Sequence, residues 1–395
     1  GWKYFSTEEA MELVQKAANG LIELGVQPGD KIALVAYQNR PEWVFMDQAA
    51  LRVGAITVPV YPTISPAEYQ YIFNEAEVVY CFCGKDDLVA KVQTAQKSLP
   101  NLKAIYAFDE SDQAPHWTSI FAEGHDETIE KRKAAIQYED LATIIYTSGT
   151  TGNPKGVMLS HKNIISNLYS VGKVFPVSTG ERVLSFLPLC HIFERTAYYT
   201  YTYFGVNISF AGTDNLGGDD GDLAAVKPHF FTTVPRLLEK VYERIYNKGL
   251  ELSPAKKRLF FWALSLTDGY EYQNTYSGWA AFKRRIADTL IFSKWRDALG
   301  GEIKGILTGA APCPAKIIRV FSAAGIAVRE AYGLTEASPG ITFNHFDTGS
   351  ALIGSTGPAL DGVEVRIDDT EGDYRDGEGE ILAAGDNIMM GYYKK

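Results

Sequence analysis

Tyr146-Thr147-Ser148-Gly149-Thr150-Thr151-Gly152-Asn153-Pro154-Lys155-Gly156 is the stretch on which the reading of this chain turns. It follows the apolar run Ala142 to Tyr146, which reads as a buried strand, and it precedes a helix that Ser160 is placed to cap. Hydroxyls crowd at Thr147, Ser148, Thr150 and Thr151. Gly149, Gly152 and Gly156 permit tight turns and close backbone approach. Lys155 adds a positive charge. Together these residues describe a cradle for phosphate oxygens. The P-loop of the common nucleotide triphosphatases is a different string, with four residues between its glycines and then Gly-Lys-Ser/Thr. Here Lys155 is followed by Gly156. An ordinary Ser/Thr/Gly surface turn is the plain alternative, and the density of hydroxyls and glycines around one lysine argues against it.

Upstream of the loop, helix and strand patterns alternate. Glu8 to Leu24 has apolar residues at Leu13, Ala17, Leu21 and Leu24, a helical rhythm closed by Gly25 and the Pro28-Gly29-Asp30 turn. Strands are expected over 32–37, 56–60, 77–82 and 104–108, with helices opening at Pro41, Pro66 and Asp86. Residues 109–138 carry clustered charges and read as a surface excursion. Downstream, strands are expected over 183–187, 206–210, 229–233, 303–307 and 326–329. Pro235 and Pro314 open helices, and 248–300 is helical with breaks. Such alternation points to largely parallel sheets covered by helices. The last portion changes character. Turns at 354–358, 361–362 and 376–379 separate strands at 363–367 and 380–384. The fold class expected is therefore α/β, with two layered α/β subdomains followed by a small β-rich subdomain. The divisions are 1–140, 141–345 with the two sheets partly interleaved, and 346–395.

The 395 residues, 46% hydrophobic and 22% charged, fit a globular protein of two or three subdomains. A formal net charge of −10 argues against a nucleic-acid partner, though not against a local basic pocket. Cys81, Cys83, Cys190 and Cys313 form no metal-ligand array and imply no disulfides. They read as buried thiols in a reducing, cytoplasmic setting. No run of eighteen apolar residues and no signal-peptide pattern is present, so no transmembrane segment is expected and peripheral membrane contact stays open. The chain opens at Gly1 and stops at Lys395, which reads as a piece trimmed from a longer protein.

The phosphate-loop string resembles the signature of the adenylate-forming (AMP-binding) superfamily, which includes acyl-CoA synthetases, peptide-synthetase adenylation domains and beetle luciferases. Its members join a carboxylate to ATP, giving acyl-adenylate and pyrophosphate, and usually pass the acyl group to a thiol. Further strings follow in that family's order along nearly the whole chain. Leu187-Pro188-Leu189-Cys190-His191-Ile192-Phe193-Glu194-Arg195 resembles its second core motif. The resemblance places His191 near the α-phosphate and carboxylate, where it steadies developing charge. A general-base role is not expected, because a carboxylate nucleophile is already ionised near pH 7. In some long-chain relatives a tryptophan near Arg195 gates the acyl tunnel, and this chain has arginine there. Gly309-Ala310-Ala311-Pro312 resembles the segment along adenine and the acyl pocket, although a tight strand-to-helix turn is equally its reading. In Ala331-Tyr332-Gly333-Leu334-Thr335-Glu336-Ala337, the resemblance puts Tyr332 and Gly333 beside adenine and Thr335 near the phosphate. It makes Glu336 a Mg²⁺ ligand, helped by Thr147. A hard cation prefers such carboxylate, hydroxyl and phosphate oxygens.

Asn387-Ile388-Met389-Met390-Gly391-Tyr392-Tyr393 resembles the family's next segment. The family then continues to a ribose-binding aspartate, a hinge and a small C-terminal domain carrying a catalytic lysine. None of these occurs in this stretch, slow turnover is expected of it, and Lys155 is not that lysine. Phe210-Ala211-Gly212-Thr213-Asp214-Asn215, Thr233-Val234-Pro235-Arg236 and the aromatic stretch 259–295 are most similar to long-chain fatty-acid–CoA ligases. The expected function is ATP- and Mg²⁺-dependent activation of a long-chain fatty acid, followed by thioester formation with coenzyme A in the full-length enzyme. An acyl-acyl-carrier-protein synthetase or another carboxylate-adenylating enzyme is the enzymatic alternative. A degenerate acyl-binding module, taking lipid without ATP, is the non-enzymatic one.

Overall fold

Ile32, Ala33, Leu34 and Val35 are wholly buried, as a strand covered on both faces must be. The computed structural model describes residues 1–147, 152–213, 215–218, 220–370 and 372–395. In chain order its strands are β1 (Lys31–Val35), β2 (Ile56–Pro59), β3 (Val78–Cys83), β4 (Ala104–Ala107), β5 (Leu141–Thr147), β6 (Lys155–Ser160), β7 (Arg182–Ser185) and β8 (Asn207–Phe210). They continue as β9 (Phe230–Thr233), β10 (Gly305–Thr308), β11 (Ala327–Gly333), β12 (Gly340–Phe343), β13 (Val363–Asp368), β14 (Glu380–Gly385) and β15 (Gly391–Tyr392). By internal packing the chain forms two compact units, one of residues 1–165, 188–195 and 389–395, the other of 166–187 and 196–388.

The first unit is built on a sheet ordered β15-β6-β5-β2-β1-β3-β4. The strands from β5 to β4 are parallel, whereas at the edge β6 runs antiparallel to β5 and β15 antiparallel to β6. Helices Pro66–Ala76 and Asp86–Gln96 bury Tyr69, Phe73, Leu88 and Val92 against the side chains of Ala33, Val35 and Val58. The same cluster holds Cys81 and Cys83, whose sulfurs are 3.5 Å apart, and all four cysteines are buried and free. Helix starts follow capping chemistry. Ser6 and Glu9 exchange hydrogen bonds of 3.1 and 2.7 Å, and Ser65 and Glu68 repeat the device before Pro66.

The second unit carries a sheet ordered β12-β11-β10-β9-β7-β8, parallel except for β12, and the two-stranded antiparallel ribbon β13-β14. Its core joins Leu184, Phe231 and Ile306 to helix Ala315–Ala323 and to the helical stretch 278–297.

Three features differ from the sequence reading. The phosphate loop leads into strand β6, not directly into a helix, and the helix His161–Gly172 begins only after it. Gly156, Val157, Leu159 and Ser160 are buried and Lys155 and Met158 only partly so, a pattern without the two-residue alternation that marks a half-buried strand in sequence, and the hydroxyl-rich loop masks the strand further. Ser160 still caps the helix, accepting from the Asn163 N–H at 3.1 Å. Second, the division at 140/141 does not mark a break between sheets, because β5 pairs with β2 through Thr57 and Thr143. Third, residues 109–138 contain the 3₁₀ turn Trp117–Ile120 and the helix Asp126–Ala135. Ile129 is the one fully buried apolar anchor of that helix, so periodicity barely marks it.

Candidate active site

Parallel sheets present their ligand-binding loops at the carboxyl ends of strands. In the first unit, β5 and β6 form a hairpin whose last pair is Thr147 opposite Lys155. Ser148, Gly149, Thr150 and Thr151 lie outside the described residues. At its far side Gly152 has φ +116°, a backbone region that side chains strain to enter. Gly156 is dictated by packing, since a Cβ there would lie 2.8 Å from Ile144 and 3.1 Å from the Tyr146 ring. The Lys155 ammonium sits 5.1 Å from the centre of the Tyr392 ring, a cation–π contact made by the adjoining strand β15. Lys155 is thus half-buried and aimed by its neighbour, while its base opposes Thr147.

His191 precedes the helix Ile192–Tyr203. Its loop is fastened on both sides within the first unit. The Leu189 N–H donates to Asn39 Oδ1 at 3.1 Å, and the Arg195 N–H donates to the His191 carbonyl at 3.2 Å. The ring stands edge-on to Tyr61 with centroids 6.1 Å apart. Nδ1 is buried and has no hydrogen-bond partner. Burial lowers the imidazole pKa from its ordinary value, so the ring is neutral near pH 7. A neutral imidazole with an unsatisfied nitrogen suits hydrogen bonding to a bound group better than proton abstraction. Beside it the buried Cys190 thiol is pushed up to about 12, which makes it inert.

Arg195 is not a gate. It is fully buried, with Nη2 2.5 Å from Asp47 Oδ1 and 2.6 Å from Thr57 Oγ1, and Nη1 2.8 Å from Thr143 Oγ1. Its guanidinium also lies over the Trp43 ring at 5.6 Å. A side chain held by these partners is a core fastening.

In the second unit, Gly309 follows β10 and donates its N–H to the Thr233 carbonyl at 3.2 Å. Ala310 has φ +67°, a conformation that costs a residue with a Cβ and that recurs at ligand-binding turns. Ala310, Ala311 and Pro312 are exposed, offering a backbone ledge free of bulky side chains. The ledge is tied at its far end, where the Cys313 N–H donates to Glu330 Oε1 at 3.0 Å. Burial raises the Glu330 carboxyl pKa, and its Oε2 has no partner.

Tyr332 and Gly333 end β11, and Thr335-Glu336-Ala337 forms a 3₁₀ turn before β12. A Cβ on Gly333 would fall 1.9 Å from the Pro339 carbonyl oxygen, so only glycine lets the two arms approach. The turn is fixed from outside. Asn387 Nδ2 donates to the Ala337 and Gly340 carbonyls at 3.1 and 2.9 Å, Asn167 Nδ2 to Gly340 at 2.9 Å, and Thr196 Oγ1 to Ser338 at 3.1 Å. Thr335 is buried, while Tyr332 and Glu336 stay half-exposed at the end of the strand. Sequence reasoning missed Asn167 and Thr196. Asn387 stood inside a quoted string, yet nothing in its spacing marked it as a brace.

The expected site residues therefore form two groups. Thr147, Gly152, Lys155 and His191 belong to the first unit, and Gly309 to Pro312 with Tyr332 to Glu336 to the second. Among the described residues no three His, Cys, Asp or Glu side chains cluster as a metal site. Glu336 and the Thr147 hydroxyl supply hard oxygens. Each is by itself a hard-oxygen donor of the kind Mg²⁺ accepts, a cation that keeps most of its coordination for water and phosphate.

The sequence profile of the AMP-binding enzymes matches residues 1–393. The long-chain-fatty-acid–CoA ligase FadD15 of Mycobacterium bovis is 31% identical over 400 residues, covering 100% of this chain and 64% of that protein. Long chain acyl-CoA synthetase 3 of Arabidopsis thaliana is 33% identical over 417 residues, covering 98% and 61%. This chain thus spans about three-fifths of the length of the curated relatives it matches. Among solved structures, the anthranilate CoA ligase AuaEII in complex with anthranoyl-AMP is similar with TM-score 0.71 and 18% identity, covering 98% of this chain and 65% of that one. Apo MatB from Rhodopseudomonas palustris has TM-score 0.70 and 24% identity, covering 99% and 67%. These structural likenesses establish the fold.

Proposed function

The chain belongs to the AMP-binding enzyme family, and from that premise we propose that it activates a long-chain fatty acid with ATP. The fatty carboxylate attacks the α-phosphorus. A carboxyl oxygen–phosphorus bond forms, the bond from that phosphorus to the bridging oxygen breaks, and pyrophosphate leaves with the bond's electrons. The whole protein then passes the acyl group from AMP to the coenzyme A thiol. The observation that carries this reading is the likeness to long-chain acyl-CoA ligases along all of the chain, motif strings included.

We propose a role for each of the site residues. The loop from Thr147 to Lys155, with Ser148, Gly149, Thr150, Thr151 and Gly152, is the proposed phosphate cradle, and Lys155 neutralises phosphate charge. His191, neutral and with a free nitrogen, donates a hydrogen bond to the α-phosphate or carboxylate as charge develops. The Gly309-Ala310-Ala311-Pro312 ledge and Tyr332-Gly333 bracket a flat base, and Thr335 meets the phosphate. Glu336, with the Thr147 hydroxyl, is the proposed holder of Mg²⁺, which when bound polarises the phosphate and eases pyrophosphate departure. Apolar lining for the alkyl chain is favourable by about 0.8 kcal/mol per buried methylene.

Pyrophosphate release with Mg²⁺-ATP, scanned over acetate, medium- and long-chain fatty acids and amino acids, with and without coenzyme A, tests this assignment. Release confined to long-chain acids is the expected result. Release with an amino acid, or with acetate alone, would replace the substrate and keep the chemistry. Lipid binding without any release would favour the acyl-binding module.

A further inference from the structure

The helical stretch from Gly278 to Asp297 runs as an α-helix to Ala287, widens to a π turn over Asp288–Phe292 and returns to α-helix. One side is fully committed to the core: Ala287, Ile291, Phe292 and Trp295 are buried. Arg284 and Arg296 turn the same way. Arg284 donates to the Leu266 and Ala323 carbonyls at 3.0 and 3.1 Å, and Arg296 pairs with Asp288 at 2.6 Å. The opposite side is left to solvent with an unusual content. Trp279 is 68% exposed and Phe282 51%, and their rings stack with centroids 5.1 Å apart. Leu290, 43% exposed, continues the face at helical spacing. Lys283 and Lys294 lie along it, and Arg285 is exposed nearby; none of the three has an ion-pair partner among the described residues.

We propose that this outer face of residues 278–297 docks the protein on an anionic lipid bilayer. The outward charges are Lys283, Arg285 and Lys294, with Asp297 exposed at the end of the stretch, a basic island in a chain of net charge −10. Charge complementarity selects an anionic partner. The stacked Trp–Phe pair with an exposed leucine selects one that also accepts apolar side chains at shallow depth. A bilayer interface does both: indole and phenyl rings settle at the headgroup level while lysines meet anionic headgroups. The helix needs no rearrangement to do so, because its inner side is already held by the core. Docking would set the protein beside the phase where long acyl chains partition. The exposed aromatic pair and lysines are present whatever reaction the protein carries out.

Vesicle co-sedimentation decides the matter, with phosphatidylcholine vesicles compared to phosphatidylcholine–phosphatidylglycerol vesicles, without ATP or fatty acid. The unaltered chain is expected to bind the anionic vesicles and to release as salt rises. The pair of substitutions W279A and F282A is expected to weaken binding at least about tenfold. K283E with K294E is expected to remove the preference for anionic vesicles. Tyr4→Ala, at an aromatic 83% exposed elsewhere, should leave binding unchanged. All of these side chains lie outside the core, and matched melting curves show that the fold is kept. The proposal fails if the unaltered chain binds neither vesicle, or if the Trp279/Phe282 variant binds as tightly as the unaltered chain. It also fails if sedimentation shows a dimer that this variant dissolves, with no vesicle binding, since the face would then cover a second copy. Absence of pyrophosphate release would count against the reaction and leave the vesicle result standing.

Discussion

Arg195 illustrates what one buried charge asks of its surroundings. Both it and Asp47 are wholly buried, and Thr57 and Thr143 are further partners of the guanidinium. Removing either charge leaves the other stranded in low dielectric, so Arg195→Met is expected to cost about 3–5 kcal/mol. The double variant with Asp47→Ala should cost less than the two single changes summed, by about 1–3 kcal/mol in urea unfolding. Strict additivity would mean that the pair does not act as a unit. The same fastening holds the turn carrying His191, so Arg195→Met should also weaken adenylate formation. The histidines give a pH signature. Burial lowers the pKa values of His161 and His191 below the ordinary 6.5, and Arg195 adds to the effect at His161. Protonation therefore favours the unfolded chain. The stability these rings contribute is complete above pH 6.5 and is lost as pH falls through their folded values. His161→Gln should lose less melting temperature than the unaltered chain between pH 7 and about pH 5.5; an equal or larger loss would contradict the assignment. At this scale residue type and motif order carry the proposal at Glu336 and His191. Arg195 was unreadable, because a motif position does not reveal whether its side chain turns to a tunnel or to Asp47.

Elements were legible wherever one physical pattern dominated. The strands β1 to β4 and the helices starting at Pro41 and Pro66 follow from continuous apolar runs and from proline in a first turn. Strand β6 escaped because a hydroxyl-rich loop precedes it and a capping serine ends it, and together these mimic a helix start. The helix at Asp126–Ala135 escaped because its charged surface leaves almost no apolar period. The turn between β11 and β12 belongs to the same scale, since Gly333 matters through the approach of two strand arms. Gly333→Ala is expected to destabilise by about 2–4 kcal/mol and to remove nucleotide binding. Gly212→Ala is the control, because a Cβ there meets nothing and its backbone is unstrained. Thermal unfolding with and without an adenylate analogue reads both. An unaffected Gly333 variant would deny that this close approach shapes the site.

For the whole molecule, linear order and packing order diverge. Residues 188–195 and 389–395 belong to the unit that 1–165 builds, although they come after parts of the second unit in the sequence. Such returns are written in long-range pairing, as when β15 adds to β6 at the edge of the first sheet, and a short strand of Gly391 and Tyr392 carries almost no local signal. The order of motifs was nonetheless enough to indicate the family, because each string encodes a local shape as well as a chemistry. The central claim is that these strings together perform adenylation of a long acyl chain. The most direct measurement is a single-turnover reaction of the chain with Mg²⁺-ATP and a long-chain fatty acid, with bound acyl-adenylate identified by mass spectrometry and Glu336→Gln run beside it. The account predicts acyl-AMP from the long-chain acid, none from amino acids, and at least about a hundredfold less from the Glu336 variant. No acyl-AMP from the unaltered chain, or an undiminished yield from the variant, would contradict it.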